Sequence, residues 1–107
     1  MFDSLREPVV IGNVKLSVQA SSDHYCTPRV DGLDLDQYER VEVAILQDGK
    51  MTTPCKLALS RAVDIDMPEW NEITRIDSLF EDGNSPVAGY VPIQDVQKLR
   101  DFIQKWA

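Results

Sequence analysis

Val41-Glu42-Val43-Ala44-Ile45-Leu46-Gln47-Asp48-Gly49-Lys50-Met51-Thr52-Thr53-Pro54 is the stretch on which the fold turns. Val41, Val43 and Ile45 alternate with Glu42 and Ala44, and strand side chains alternate between faces, so one apolar row is set up for burial. Asp48-Gly49 supplies residues that tolerate φ > 0, and Lys50 to Thr53 returns as the partner strand. Pro54 has no N–H to give a ladder, so the return strand ends there or lies at an edge, before Lys56-Leu57-Ala58-Leu59 resumes.

Working upstream, Val9-Val10-Ile11, the turn pair Gly12-Asn13, and Val14, Leu16, Val18 and Ala20 alternating with Lys15, Ser17 and Gln19 read as another hairpin with one buried face. Residues 21–39 lose periodicity. Pro28 and Asp31-Gly32 mark a long loop there, with one helical turn at Leu35 to Tyr38. Downstream, Met67, Trp70, Ile73, Ile76 and Phe80 fall three or four apart, with Asp66 three before Glu69 as a capping box, which predicts a helix over 67–76. Glu81 to Pro86 is a loop by composition, Val87 to Val91 a short strand, and Pro92 suits a first helical position.

Ile93, Val96, Leu99, Phe102 or Ile103, and Trp106 form one apolar stripe of a C-terminal helix over 92–106. Asp95 lies in its first turn and Lys98, Arg100 and Lys105 toward its end, the arrangement the helix dipole favours. The whole reads as one α+β domain spanning 1–107: an antiparallel sheet of four or five strands with one or two helices packed on one face.

At 107 residues the chain is too short for two cores, and 43% hydrophobic with 27% charged residues is ordinary globular usage. Neither a bilayer-length apolar run nor a basic-then-apolar start is present, so a cytoplasmic location is expected. Cys26 and Cys55 are then expected as thiols. With His24 the only histidine and no Cys-x-x-Cys pair, neither metal nor cofactor is expected. There is no Gly-rich phosphate loop, no Gly-x-Ser-x-Gly and no calcium-loop pattern.

The net charge of −7 is unevenly placed: residues 1–61 carry −2, residues 62–97 carry −7 and residues 98–107 carry +2. A nucleic-acid binder needs the reverse, so direct binding to DNA or RNA is disfavoured. The acids Asp64, Asp66, Glu69, Glu72, Asp77, Glu81 and Asp82 instead form a candidate partner-binding surface for a basic protein. The competing reading of these acids is a solvated helix face. Asp23, His24, Tyr25, Cys26 and Arg29 are the densest group of reactive side chains, and could supply a thiolate, a base and an anion-binding guanidinium. Residues two apart point to opposite sides of an extended segment, which argues against a His24–Cys26 pair. Tyr25 and Cys26 are expected to tuck into the core while His24 caps or packs.

His24-Tyr25-Cys26-Thr27-Pro28-Arg29, then Tyr38 to Ala44, then Gly89-Tyr90-Val91-Pro92, resembles a loose group of small bacteriophage and prophage proteins with no assigned activity. The similarity covers three short stretches between residues 14 and 103. It implies a strand, a Tyr-Cys-Pro loop, a Val-Glu-Val strand, a variable insertion and a Tyr-Val-Pro junction into a helix. This chain departs from the pattern between Thr53 and Pro86, where most of its net acid lies. By analogy with small acidic phage proteins, including anti-CRISPR inhibitors that resemble DNA in charge, the expected role is a non-enzymatic accessory protein. Its expected partner is a host protein, a nucleic-acid-binding component of a bacterial defence system. Two other classes stand beside it: a cysteine-dependent enzyme or small-ligand protein centred on His24, Cys26 and Arg29, and a virion structural or assembly protein.

Overall fold

The central strand is β3 (Arg40–Gln47), whose Val41, Val43 and Ile45 are fully buried. A computed structural model of the chain describes residues 7–64, 66–81, 83 and 86–106. β1 (Val9–Ile11) and β2 (Val14–Gln19) form the first hairpin, and β2 lies antiparallel along β3 with Leu16 opposite Ile45 and Val18 opposite Val43. Apolar rows therefore meet apolar rows, which fixes the register, since a slip of one residue would turn each row to the other face. β4 (Lys50–Thr52) and β5 (Ala88–Pro92) both pair antiparallel with the other edge of β3, β4 beside Ile45–Gln47 and β5 beside Arg40–Val43. The sheet thus has five strands. The β3–β4 turn has φ of 53° at Asp48 and 81° at Gly49, the double left-handed turn that Asp-Gly favours in two-residue hairpins.

Three helices follow: α1 (Pro54–Ser60), α2 (Trp70–Asp77) and α3 (Ile93–Trp106). Leu57, Ile76, Leu99 and Ile103 join Val14, Leu16, Val18, Val41, Val43 and Ile45 in one core. The α+β architecture, both hairpins, the helical turn at Leu35–Gln37 and the C-terminal helix are as the sequence predicts.

Residues 56–59 differ from expectation, since they belong to α1 and not to a resumed strand. Thr53 is the helix N-cap, its side chain accepting the Lys56 N–H at 3.3 Å, and Pro54 takes the first helical position. The proline that ends a ladder is equally suited to open a helix, because its missing N–H has no partner in a first turn. α2 begins at Trp70 rather than Met67. The residues before it make turns, with Met67 N–H to the Asp64 carbonyl and Trp70 N–H to the Met67 carbonyl, and Pro68 lies among them. No Asp66 capping box forms: Glu69 holds the N-cap position, and the Asp66 N–H is taken by Asp64 Oδ1 at 2.9 Å. Pro92 closes β5 opposite Arg40, so the last helix opens at Ile93, whose N–H goes to the Glu39 carbonyl at 3.0 Å. None of the helices among the described residues is long and apolar enough to cross a membrane.

Candidate binding surfaces

The acidic segment surrounds α2, and its carboxylates divide into two groups. Arg75, on α2, donates to both oxygens of Asp95 at 3.0 and 2.7 Å and also to Glu72, while Lys98 lies 3.7 Å from Glu72. Lys105 reaches Glu69 Oε1 at 3.4 Å. Hydrogen bonding to Arg75 holds the buried Asp95 carboxyl below its usual value against the opposing effect of burial, and the same guanidinium lowers Glu72. Glu69 is lowered by its own backbone N–H and then by Lys105, while its Oε2 is buried without a partner among the described residues. The basic tail seen in the sequence is therefore folded back onto α2, where Arg75, Lys98 and Lys105 oppose Glu69, Glu72 and Asp95.

Asp77 is spent as well, on the fold. Its Oδ1 accepts the Cys55 N–H at 2.8 Å, satisfying a first-turn donor of α1 from the last turn of α2. Asp64, Asp66 and Glu81 remain exposed, the first two before α2 and the third after it. Asp82 lies outside the described residues. Of the six described acids among those singled out in the sequence, these three are exposed with no basic side chain bonded to them among the described residues. The pairings of Glu69 and Glu72 with the last helix carry no local sequence signal, since they span 36 and 26 positions.

The His24–Arg29 segment folds differently from a nucleophile and its base. Cys26 is buried, and its thiol donates to the Ser21 carbonyl at 3.1 Å and the Pro28 carbonyl at 3.4 Å. His24 Nδ1 lies 2.6 Å from the hydroxyl of buried Ser21, which also accepts the Asp23 N–H at 3.1 Å. The Ser21 hydroxyl thus ties the Asp23 backbone and the His24 ring together, and the group is a loop staple. Cys26 tucks into the core as expected.

Tyr25 does not. It stays about half exposed because the loop crosses to β5, where its carbonyl accepts the Tyr90 N–H at 2.9 Å and its ring lies 5.8 Å from that of Tyr90. Thr27 pairs with Arg40 of β3, which anchors the other end of the segment. All three stretches that carry the sequence resemblance, 24–29, 38–44 and 89–92, thus meet in space. Arg29 stands with its guanidinium carbon 5.4 Å from the Tyr25 ring centre and donates Nε–H to the Ser22 carbonyl at 3.0 Å.

A separate groove of about 310 Å³ runs between α3 and the first hairpin, lined by Val9, Leu16, Val18, Leu35, Ile93 and Val96, with Arg100 and Asp36 at its rim. No group of three or more His, Cys, Asp or Glu side chains among the described residues is placed to hold a metal ion. Comparison with protein-family models, with curated proteins and with solved structures yields no match to this chain.

Proposed function

We propose that this chain acts by binding: an accessory protein of a bacteriophage or mobile element, working in the bacterial cytoplasm, that docks on a host protein through the carboxylates around α2. The partner class is a nucleic-acid-binding component of a defence system, whose exposed arginines and lysines the acidic surface would engage in place of nucleic acid. The observation that carries this reading is the placement of Asp64, Asp66 and Glu81, which flank α2 exposed to water with no basic side chain bonded to them among the described residues. Glu69 and Glu72 add to the field, although their neighbours Lys105, Lys98 and Arg75 offset them.

The test is affinity capture from a bacterial lysate with the wild-type chain beside Asp64→Lys/Asp66→Lys/Glu81→Lys. These three positions are exposed, so charge is reversed while the α2–α3 ion pairs stay intact. The reading expects a nucleic-acid-binding protein retained by wild type alone and released by moderate salt. Equal retention by both forms counts against it.

A further inference from the structure

Two tyrosines stand side by side at the surface, each close to half exposed, Tyr25 at 49% and Tyr90 at 46%. Their rings are tilted by 33° to one another, forming a shallow aromatic notch, with the guanidinium of Arg29 over the Tyr25 ring. The bond from Arg29 Nε to the Ser22 carbonyl orients the guanidinium, and its terminal nitrogens have no partner among the described residues.

Backbone geometry is bent to make this notch. β5 carries a bulge, with Gly89 and Tyr90 inserted between the residues that oppose Val41 and Val43. Tyr90 there adopts φ +54°, a left-handed conformation that is strained for any residue but glycine. A side chain at Gly89 would place its Cβ 3.0 Å from the Tyr25 Cβ, so any other residue there would push the two segments apart by a few tenths of an ångström. Glycine at position 90 would remove the strain, yet a tyrosine is kept there with 46% of its surface exposed. Strain that holds a half-exposed aromatic beside an arginine is characteristic of a recognition surface, since tyrosine and arginine dominate the energetics of protein interfaces.

We propose that Tyr25, Arg29 and Tyr90 form a docking site for an extended segment of a partner protein that presents a carboxylate next to proline or an aliphatic side chain. The notch takes the apolar side chain against two ring faces, and the terminal guanidinium nitrogens take the carboxylate in a forked pair. Charge complementarity selects the acid, because Arg29 is the cation at the notch. Stacking rings with an arginine also suit single-stranded nucleic acid. The net charge of −7 and the exposed Asp23 and Asp31 on the same loop oppose the repeated charges of a phosphate backbone more than the single carboxylate that Arg29 can pair. The site uses none of the carboxylates around α2, so it stands or falls separately from the acidic-surface reading.

The experiment selects a displayed library of random dodecapeptides on the immobilised full-length chain. Enriched peptides are then measured against wild type, Arg29→Gln and Tyr90→Gly, with oligo(dT) as a parallel ligand and urea unfolding of each variant. The site predicts enriched peptides sharing Asp or Glu beside proline or an aliphatic residue, with affinity falling about tenfold in Arg29→Gln. Tyr90→Gly should lose binding while unfolding at the same or higher urea than wild type, which separates a recognition ring from a structural one. Failure to enrich, enrichment without a carboxylate, binding indifferent to Arg29→Gln, or earlier unfolding of Tyr90→Gly overturns the proposal. So does oligo(dT) binding that Arg29→Gln abolishes.

Discussion

Ala62 carries the left-handed turn that ends α1, at φ +56°. The Val63 N–H reaches the Ala58 carbonyl at 3.0 Å and the Ala62 N–H reaches the Leu59 carbonyl at 3.1 Å, the pair of bonds by which a helix normally closes on a glycine. Ala62→Gly should therefore stabilise the chain by up to about 1 kcal/mol in urea denaturation, against the usual destabilising effect of glycine near a helix. At the other end of α1, burial first and then the neighbouring Asp77 carboxylate push the Cys55 thiol up to about 11. Cys55 should accordingly alkylate with iodoacetamide about a hundredfold more slowly at neutral pH than an ordinary thiol, and Asp77→Asn should speed it. Because the folded value is raised, this group's stabilising effect is complete below the unfolded value of about 8.5 and fades as pH rises through the folded one. The thiol state of Cys26 was legible in the cysteine count, but its carbonyl partners were not, since they depend on how a loop without periodicity turns back. The exposure of Tyr25 was hidden for the same reason: its partner Tyr90 lies 65 residues away.

Between elements, the join that decides the shape of the acidic region is Arg75 on α2 to Asp95 in the first turn of α3, backed by Glu72 and Lys98. Asp95 is only 3% exposed, so removing its partner leaves a carboxylate in a poorly solvated place. Arg75→Ala should cost about 2 kcal/mol, less than a fully buried pair because the guanidinium itself is half exposed. The folded value of Asp95 is lowered, so its contribution is present above the unfolded value of about 3.9 and is lost as pH falls through the folded one. Thermal unfolding followed from pH 6 down to pH 2 should show Asp95→Asn less stable than wild type near neutrality, with a shallower acid limb. The alternating rows of β2 and β3 and the stripe of α3 announced those elements, because a period of two or of three to four survives in any tertiary context. α1 was missed because Pro54 signals both a strand end and a helix start, and only the capping of Thr53 distinguishes them. The start of α2 was misplaced because apolar spacing continued back to Met67 through Pro68, where the backbone makes turns instead.

At the scale of the whole molecule, linear charge and spatial charge are different quantities. The sequence places its full net charge of −7 between residues 62 and 97, and folding then lays the basic end of the chain over part of it. What remains exposed around α2 is concentrated at Asp64, Asp66 and Glu81. Long-range attraction acts through the summed field, so reversing these three charges should slow association with a basic partner far more than it hastens dissociation. Fold class was readable from pattern alone, since hydrophobic periodicity dictates which faces are covered. Which carboxylates stay unpaired by a base was not, because ion pairs between α2 and α3 depend on packing that periodicity does not encode.

The most direct measurement is the affinity of the captured partner for the purified chain as a function of salt concentration, taken with wild type and with Asp64→Lys/Asp66→Lys/Glu81→Lys. Binding through the carboxylates around α2 predicts a steep fall in affinity with salt for wild type, and a loss of about tenfold or more for the reversed form at low salt. Affinity that is flat with salt and unchanged by reversal would contradict it.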